Sequence, residues 1–225
     1  MKKSTLMLTI CLASLVICIS AANLKLANEY NKGHIKNYHV FVKIPSFHHI
    51  KQTRSPKNDI PDGNITFIEN IDSNGIMHTY YDSIGIHYHV TSDTLYLEPL
   101  PEKYKQGYDY NIIVYGSKLQ SISTETSNIT IEKLTTDSLK IMAKNYTSVT
   151  AKNLKVKALS LLATDRAQIS IRKTDTIPLA NISVLGTGVF SAYNIVFLKK
   201  KLSLSPNATV MLAGVSVTDF GVKTE

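Results

Sequence analysis

Apolar residues recur at a fixed interval along the second half of this chain, and an interval of that length admits few folds. Leu119, Leu139 and Leu159 are 20 residues apart, Ile182 follows after 23, and Leu202 after another 20. Most of these leaders carry a second apolar residue two places on: Leu139 with Ile141, Leu159 with Leu161, Ile182 with Val184, and Leu202 with Leu204. A second set lies about half a period later, as Ile129 with Ile131, Val149 with Ala151, Ile169 with Ile171, and Val210 with Leu212. Leu134 and Leu154 open a third strand in the first two coils. A spacing of two puts both side chains on one face of an extended strand. A repeat of about 20 residues makes one coil, with equivalent strands stacked in parallel roughly 4.8 Å apart. One coil cannot bury its apolar face, but a stack can. The expected fold is therefore all-β: a right-handed parallel β-solenoid of about five coils over residues 118–225. The excess before Ile182 falls at Thr174 to Pro178 and is expected to bulge from one corner. Ser127-Asn128, Asn145-Tyr146-Thr147, Asp165-Arg166, Gly186-Thr187-Gly188 and Pro206-Asn207 are turn-formers at matching phases.

Upstream, residues 35–117 are also rich in strand signals, with alternating runs at Asn64 to Ile68, Ile84 to Val90, Thr94 to Leu97 and Tyr110 to Tyr115. This N-terminal region is expected to form a β-sheet that caps the solenoid, because an open first coil exposes unpaired backbone. Residues 23–34 read as a flexible tether. Residues 1–22 read as a signal peptide. Lys2 and Lys3 precede an apolar run of about 14 residues from Leu6 to Ile19, and Ser20-Ala21-Ala22 supplies small residues for cleavage. That run is short for a bilayer core, which takes roughly 20 residues, so no membrane span is expected after cleavage. Ile17 is too large for a lipoprotein site at Cys18, which argues against lipid anchoring. The expected location is exported, periplasmic or at the cell surface. Cys11 and Cys18 both lie in the leader, so the mature chain has neither disulfides nor thiolate metal sites.

The charge is moderate. Without Lys2 and Lys3 there are 23 Lys+Arg against 17 Asp+Glu, a net of +6. Lys199-Lys200-Lys201 is the one run of three, read most simply as a solvated turn and otherwise as a basic patch. No nucleic-acid motif is present, and nucleic acid is not an expected partner.

Three groups of residues could carry chemistry. All seven histidines fall between His34 and His89. His87 and His89 share one strand face, and with His78 on a neighbouring strand they form a candidate three-nitrogen metal site. The plainer explanation is the polar face of a hairpin. His48 and His49 would point to opposite faces if extended. Tyr104, Tyr108, Tyr110 and Tyr115 form a candidate binding face, since flat rings suit sugars and partner surfaces; β-propensity explains them as well. No catalytic residues are assigned: there is no Gly-x-Ser-x-Gly turn and no mature cysteine. Glu125, Asn145 and Asp165 share one phase, but two coils separate the carboxylates, roughly 9–10 Å. Asn-x-Ser/Thr sequences at Asn64, Asn128, Asn145, Asn181 and Asn207 read as turn chemistry. No cofactor is expected.

Several segments together resemble the auto-transporter adhesin head GIN domain family, an exported bacterial domain of unknown function. Phe47-His48-His49-Ile50 resembles that family's opening strand. Asp93-Thr94-Leu95-Tyr96-Leu97 resembles its hairpin, and Tyr110 to Gly116 with Lys118-Leu119-Gln120-Ser121-Ile122 resembles its entry into the coils. The likeness covers residues 40–225. The chain departs from it at the corners, where Thr126-Ser127-Asn128 and Asp165-Arg166-Ala167 replace Gly-Ser-rich turns, and Gly116 stands where proline is common. The resemblance implies a non-catalytic exported scaffold or adhesin-like protein. Its partner classes are a cell-envelope glycan or a surface protein. The alternative is a glycan-binding or glycan-cleaving β-helix. Nothing in the sequence speaks to oligomeric state.

Overall fold

In a computed structural model of the chain, the described residues are 3–31, 39–53, 63–79, 86–99, 110–125 and 127–220. The chain divides into two units, Met1–Tyr38 and His39–Glu225. The first contains a helix, α1 (Lys3–Asn31). Its window Cys11–Asn28 has a mean hydropathy of 1.6 and is long enough to cross a membrane. At the N-terminus such a helix is compatible with a signal peptide. It continues through residues 23–31, the first part of the stretch read as a tether.

The described residues of the second unit form strands and one short helix, joined by turns. Its N-terminal part holds β1 (His39–Lys43), β2 (His49–Gln52), β3 (Gly63–Glu69), β4 (Gly75–Thr79), β5 (Ile86–Thr91), β6 (Thr94–Pro99) and β7 (Tyr110–Gly116). The repetitive part holds β8 (Ser121–Thr124), β9 (Asn128–Ile131), β10 (Leu134–Ala143), β11 (Ser148–Lys152), β12 (Leu154–Ala163), β13 (Gln168–Arg172), β14 (Thr176–Val184), β15 (Val189–Tyr193), β16 (Val196–Leu204) and β17 (Thr209–Ala213). A short helix, α2 (Val215–Asp219), follows. Nine strands form one sheet in the order β1-β4-β7-β3-β9-β11-β13-β15-β17, and eight form the other, β16-β14-β12-β10-β8-β2-β6-β5.

Parallel stacking puts inward residues in columns. Ile112, Ile65, Ile129, Val149, Ile169, Phe190 and Val210 run across the nine-stranded sheet. Leu95, Ile50, Ile122, Ile141, Leu161, Ile182 and Leu202 run across the other. Leu119, Leu139 and Leu159 are all buried in the same core. The five coils expected from Leu119 onward are present, as β8/β9 through β16/β17.

The stack is longer than those five. β2 pairs in parallel with both β6 and β8, and β3 with both β7 and β9. The chain therefore starts at the rung β2/β3, builds β6/β7 on one side of it, and then β8/β9 on the other. The capping strands are antiparallel: β4 on β7, β1 on β4, and β5 on β6.

The register differs from the sequence expectation in three places. Ile182 pairs with Leu161, and the partner of Leu159 is Ala180. The step is thus 21 residues, and one residue is inserted where three were expected. Alanine carries too weak an apolar signal to mark its column. Leu119 is buried but precedes the ladder, in which Ile122 faces Ile141. The third strands at Leu134 and Leu154 are continuous with those that follow, as the ten-residue strands β10 and β12. Leu134 and Leu139 both face inward although five residues apart, so the pleat slips by one between them. Asp137 and Lys157, at that slip, drop out of the pairing.

Corner chemistry fixes the turns. Asn145, Asp165 and Gly186 hold equivalent positions in the left-handed region, with φ of 59°, 53° and 58°. Asn, Asp and Gly are the residues that tolerate it. The Asn145 side-chain amide donates to the carbonyl of Glu125 one coil back, at 3.0 Å. Asn111, Asn64 and Asn128 form a side-chain ladder, with amide–oxygen distances of 3.1 and 3.4 Å.

The C-terminal rung ends under α2. Ser216 Oγ accepts from Ile195 N at 2.8 Å and donates to Ile195 O at 3.0 Å, and Asp219 accepts from Phe197 N at 2.9 Å. Phe220 meets Phe197 edge-on at 5.4 Å. Lys199-Lys200-Lys201 lies within β16, not in a turn as the sequence suggested.

Candidate functional site

The antiparallel end of the solenoid carries His78, His87 and His89. Strand alternation turns His78 on β4 inward, where it is buried opposite Ile112. Tyr88 on β5 also turns inward, and its ring lies 6.3 Å from that of His78. Burial pushes the Tyr88 phenol pKa up. His87 and His89, one position either side of Tyr88, face outward and are exposed. The fold therefore does not bring His78 to His87 and His89.

It brings Glu98 instead. Ser92 and Asp93, with φ of 47° and 67°, make a two-residue turn between β5 and β6. That turn sets His87 directly opposite Glu98 and His89 opposite Tyr96. His87 Nδ1 lies 3.7 Å from Glu98 Oε2. One donor atom from each of His87, His89 and Glu98 falls within 4.8 Å of the others. The His89 ring stacks on Tyr96, with centroids 5.0 Å apart and planes at 6°. Lys51 Nζ sits 5.8 Å from the same Tyr96 ring. Glu98 was missed in the sequence, although the tight turn at Ser92-Asp93 fixes its register with His87. His48 and His49 do not diverge: both approach Asp93, at 2.8 and 3.9 Å, and His49 Nδ1 meets Ser121 Oγ at 2.8 Å.

Of the tyrosines, Tyr104 and Tyr108 lie outside the described residues, and Tyr110 is the first residue of β7. Tyr115 is half-buried, 5.9 Å from the ring of Phe41. Phe41 in turn covers Gly75, where any Cβ would lie 2.1 Å from its ring. These rings pack across the sheet.

A further feature lies where the inward alternation slips in β10, β12 and β14. It is a groove of about 700 Å³, lined in part by Gln120, Thr135, Ser138, Lys155, Lys157 and Thr176. Lys157 and Asp137 form an ion pair of 2.8 Å at its rim. The hydrogen bond from Lys157, and that ammonium's charge, hold the Asp137 carboxyl below its ordinary pKa; the same contact raises Lys157. Both side chains are fully solvated, so the pair contributes little to stability. The corner phase of Glu125 and Asp165 holds no carboxylate pair. Asn145 stands between them, and Glu125 binds Lys144 at 3.0 Å.

No family model and no curated protein matches the sequence. Solved structures do match. A candidate adhesin from Bacteroides fragilis superposes with a TM-score of 0.53 at 17% identity, over 77% of this chain and 95% of that one. A candidate adhesin from Parabacteroides merdae gives 0.39 at 11% identity, over 77% and 95%. A candidate lipid-binding protein from Parabacteroides distasonis gives 0.40 at 15% identity, over 77% and 93%. At such identities the first of these shows a shared fold. This chain is a β-solenoid of the architecture found in that Bacteroides protein.

Proposed function

We propose that the protein is an exported, non-catalytic, adhesin-like scaffold that binds cell-envelope glycan through the groove along the first halves of β10, β12 and β14. The observation that carries this reading is the groove's lining. Hydroxyl, amide, ammonium and carboxylate groups of differing kind follow one another along the coil axis, as with Thr135 beside Lys155, on rungs roughly 4.8 Å apart. That spacing presents hydrogen-bonding groups in register to an extended polar polymer. Leu154, Val156 and Pro178 add apolar surface between these polar groups, which suits the carbon faces of sugar rings. The fold shared with a candidate adhesin agrees with this role, as does the resemblance to the GIN domain family.

The test is a glycan array probed with the full chain and with the variant Gln120→Ala/Lys155→Ala/Lys157→Ala. Binding by the parent and its loss in the variant, with unchanged circular dichroism, is the expected result. Equal binding by both removes the groove. Release of new reducing ends from a polysaccharide panel would replace the non-catalytic reading with the glycan-cleaving one. A second contact face is suggested by Phe41, which is 47% exposed beside Tyr115. Phe41→Ser tests that face in the same assay, and Tyr108→Ser/Tyr110→Ser tests separately the tyrosine face expected from the sequence.

A further inference from the structure

We propose that His87, His89 and Glu98 form a binding site for a divalent transition metal, Zn²⁺, Cu²⁺ or Ni²⁺, on the outer face of the β5–β6 hairpin. Backbone geometry makes the arrangement. Residues two apart on a strand share a face, so His87 and His89 project together on β5. The two-residue turn then places Glu98 of β6 opposite His87. Two imidazoles and one carboxylate make the borderline donor set that such metals prefer. Ca²⁺ and Mg²⁺ take oxygen ligands instead.

The distances suit capture by small side-chain movements. Donors ~2.1 Å from a shared tetrahedral Zn²⁺ lie ~3.4 Å apart. Here the three donor atoms are within 4.8 Å of one another, and the closest measured pair, His87 Nδ1 and Glu98 Oε2, is at 3.7 Å. All three side chains are at the surface or half-buried, so closing on an ion requires no repacking of the core. The hairpin backbone is fixed by the ladder beneath it.

Tyr96 is a positioning residue. Its ring lies parallel to that of His89 at 5.0 Å and limits rotation of the imidazole. This lowers the entropy lost when the metal binds. Three protein ligands leave at least one position for water or for a group from another molecule. His48 and His49 are the competing histidines. Their Nδ1 atoms are already engaged by Asp93 and Ser121, at 2.8 Å in each case.

The experiment is titration of the full chain, prepared without a histidine tag, with ZnCl₂ and CuCl₂, followed by calorimetry and, for Cu²⁺, by electron paramagnetic resonance. One equivalent should bind, with nitrogen hyperfine structure in the Cu²⁺ spectrum. His87→Gln and His89→Gln should each weaken binding about ten-fold or more, and Tyr96→Ala less. Glu98→Gln should weaken binding while keeping the nitrogen signature. His48→Gln/His49→Gln should leave it unchanged. Circular dichroism of each variant checks the fold. No saturable binding by the parent overturns the proposal. So does binding that survives His87→Gln/His89→Gln, or that is lost in His48→Gln/His49→Gln.

Discussion

Ser216→Ala isolates what closes the C-terminal end of the solenoid. The Ser216 hydroxyl is fully buried, and it serves both backbone groups of Ile195, accepting at 2.8 Å and donating at 3.0 Å. Alanine keeps the helix but leaves Ile195 N and O without that partner. A buried polar group stripped of its hydrogen bond costs about 1–3 kcal/mol, so two such groups set a range of about 2–6 kcal/mol. The lower end applies, because this is the last rung and water can reach the ends of both groups once the helix loosens. The expected loss is ~2–3 kcal/mol. In a stacked array such a loss appears as fraying of the terminal rung before the whole unfolds. Amide hydrogen exchange is therefore the assay. The Ile195 and Phe197 amides should exchange about 30–150-fold faster, while those of β10 and β12 stay unchanged. If Ile195 exchanges at the parental rate, the hydroxyl is not what caps the rung. Uniform acceleration along every coil would refute the idea that the ends open independently.

Other consequences follow from the columns. Leu159→Ala should cost about 2–5 kcal/mol in urea unfolding, as expected for a fully buried leucine, whereas Leu202→Ala should cost about 1 kcal/mol or less. Leu202 lies in a column of the same core but is 38% exposed at the last rung, so comparable losses would contradict the assigned end. Ser191 Oγ is buried without a hydrogen-bond partner, so Ser191→Ala should leave stability unchanged or raise it by up to ~1 kcal/mol. The neighbouring Ser170→Ala should destabilise, because Ser170 Oγ accepts from Arg172 Nε at 2.9 Å. Thermal melts of the two variants shifting in the same direction would count against this distinction.

The repetitive half was legible because its columns are built from large aliphatic residues. Ile129, Val149 and Ile169 repeat at 20 and stand directly above one another. The reading slipped where the column residue was small. Ala180 holds the place beside Leu159, and the eye moves on to Ile182, which belongs to the next column. The two N-terminal rungs were hidden for another reason. Their strands are separated by long connections, so Ile65 and Ile112 lie 47 positions apart although they are neighbours in the sheet. Stacking order there departs from chain order, and no fixed period can report it. The candidate metal site was half legible. Strand alternation placed His87 and His89 on one face, but choosing their third partner required the hairpin register. His78 belongs to the other sheet and to the interior.

The ends show how a stack of like rungs stops. Any solenoid must end on strands whose outer edge is unpaired and whose apolar columns lack a next rung. At one end this chain reverses direction, and β4 and β5 cover the last parallel rung as antiparallel strands. At the other end it changes residue type within the column. The inward sequence Leu139, Leu159, Ala180 continues to Lys200, whose ammonium reaches Asp219 at 3.1 Å and sits 5.3 Å from the ring of Phe220. Its aliphatic stem covers the column while its charge stays at the surface. Lys199 and Lys201 flank it on a strand that has no further partner among the described residues. Lysines on such an edge oppose the addition of another strand. The basic run is thus explained by where the stack ends, without a bound acidic polymer. The groove proposed above to take a glycan lies elsewhere, along β10, β12 and β14, and Lys200 is not among the residues that line it.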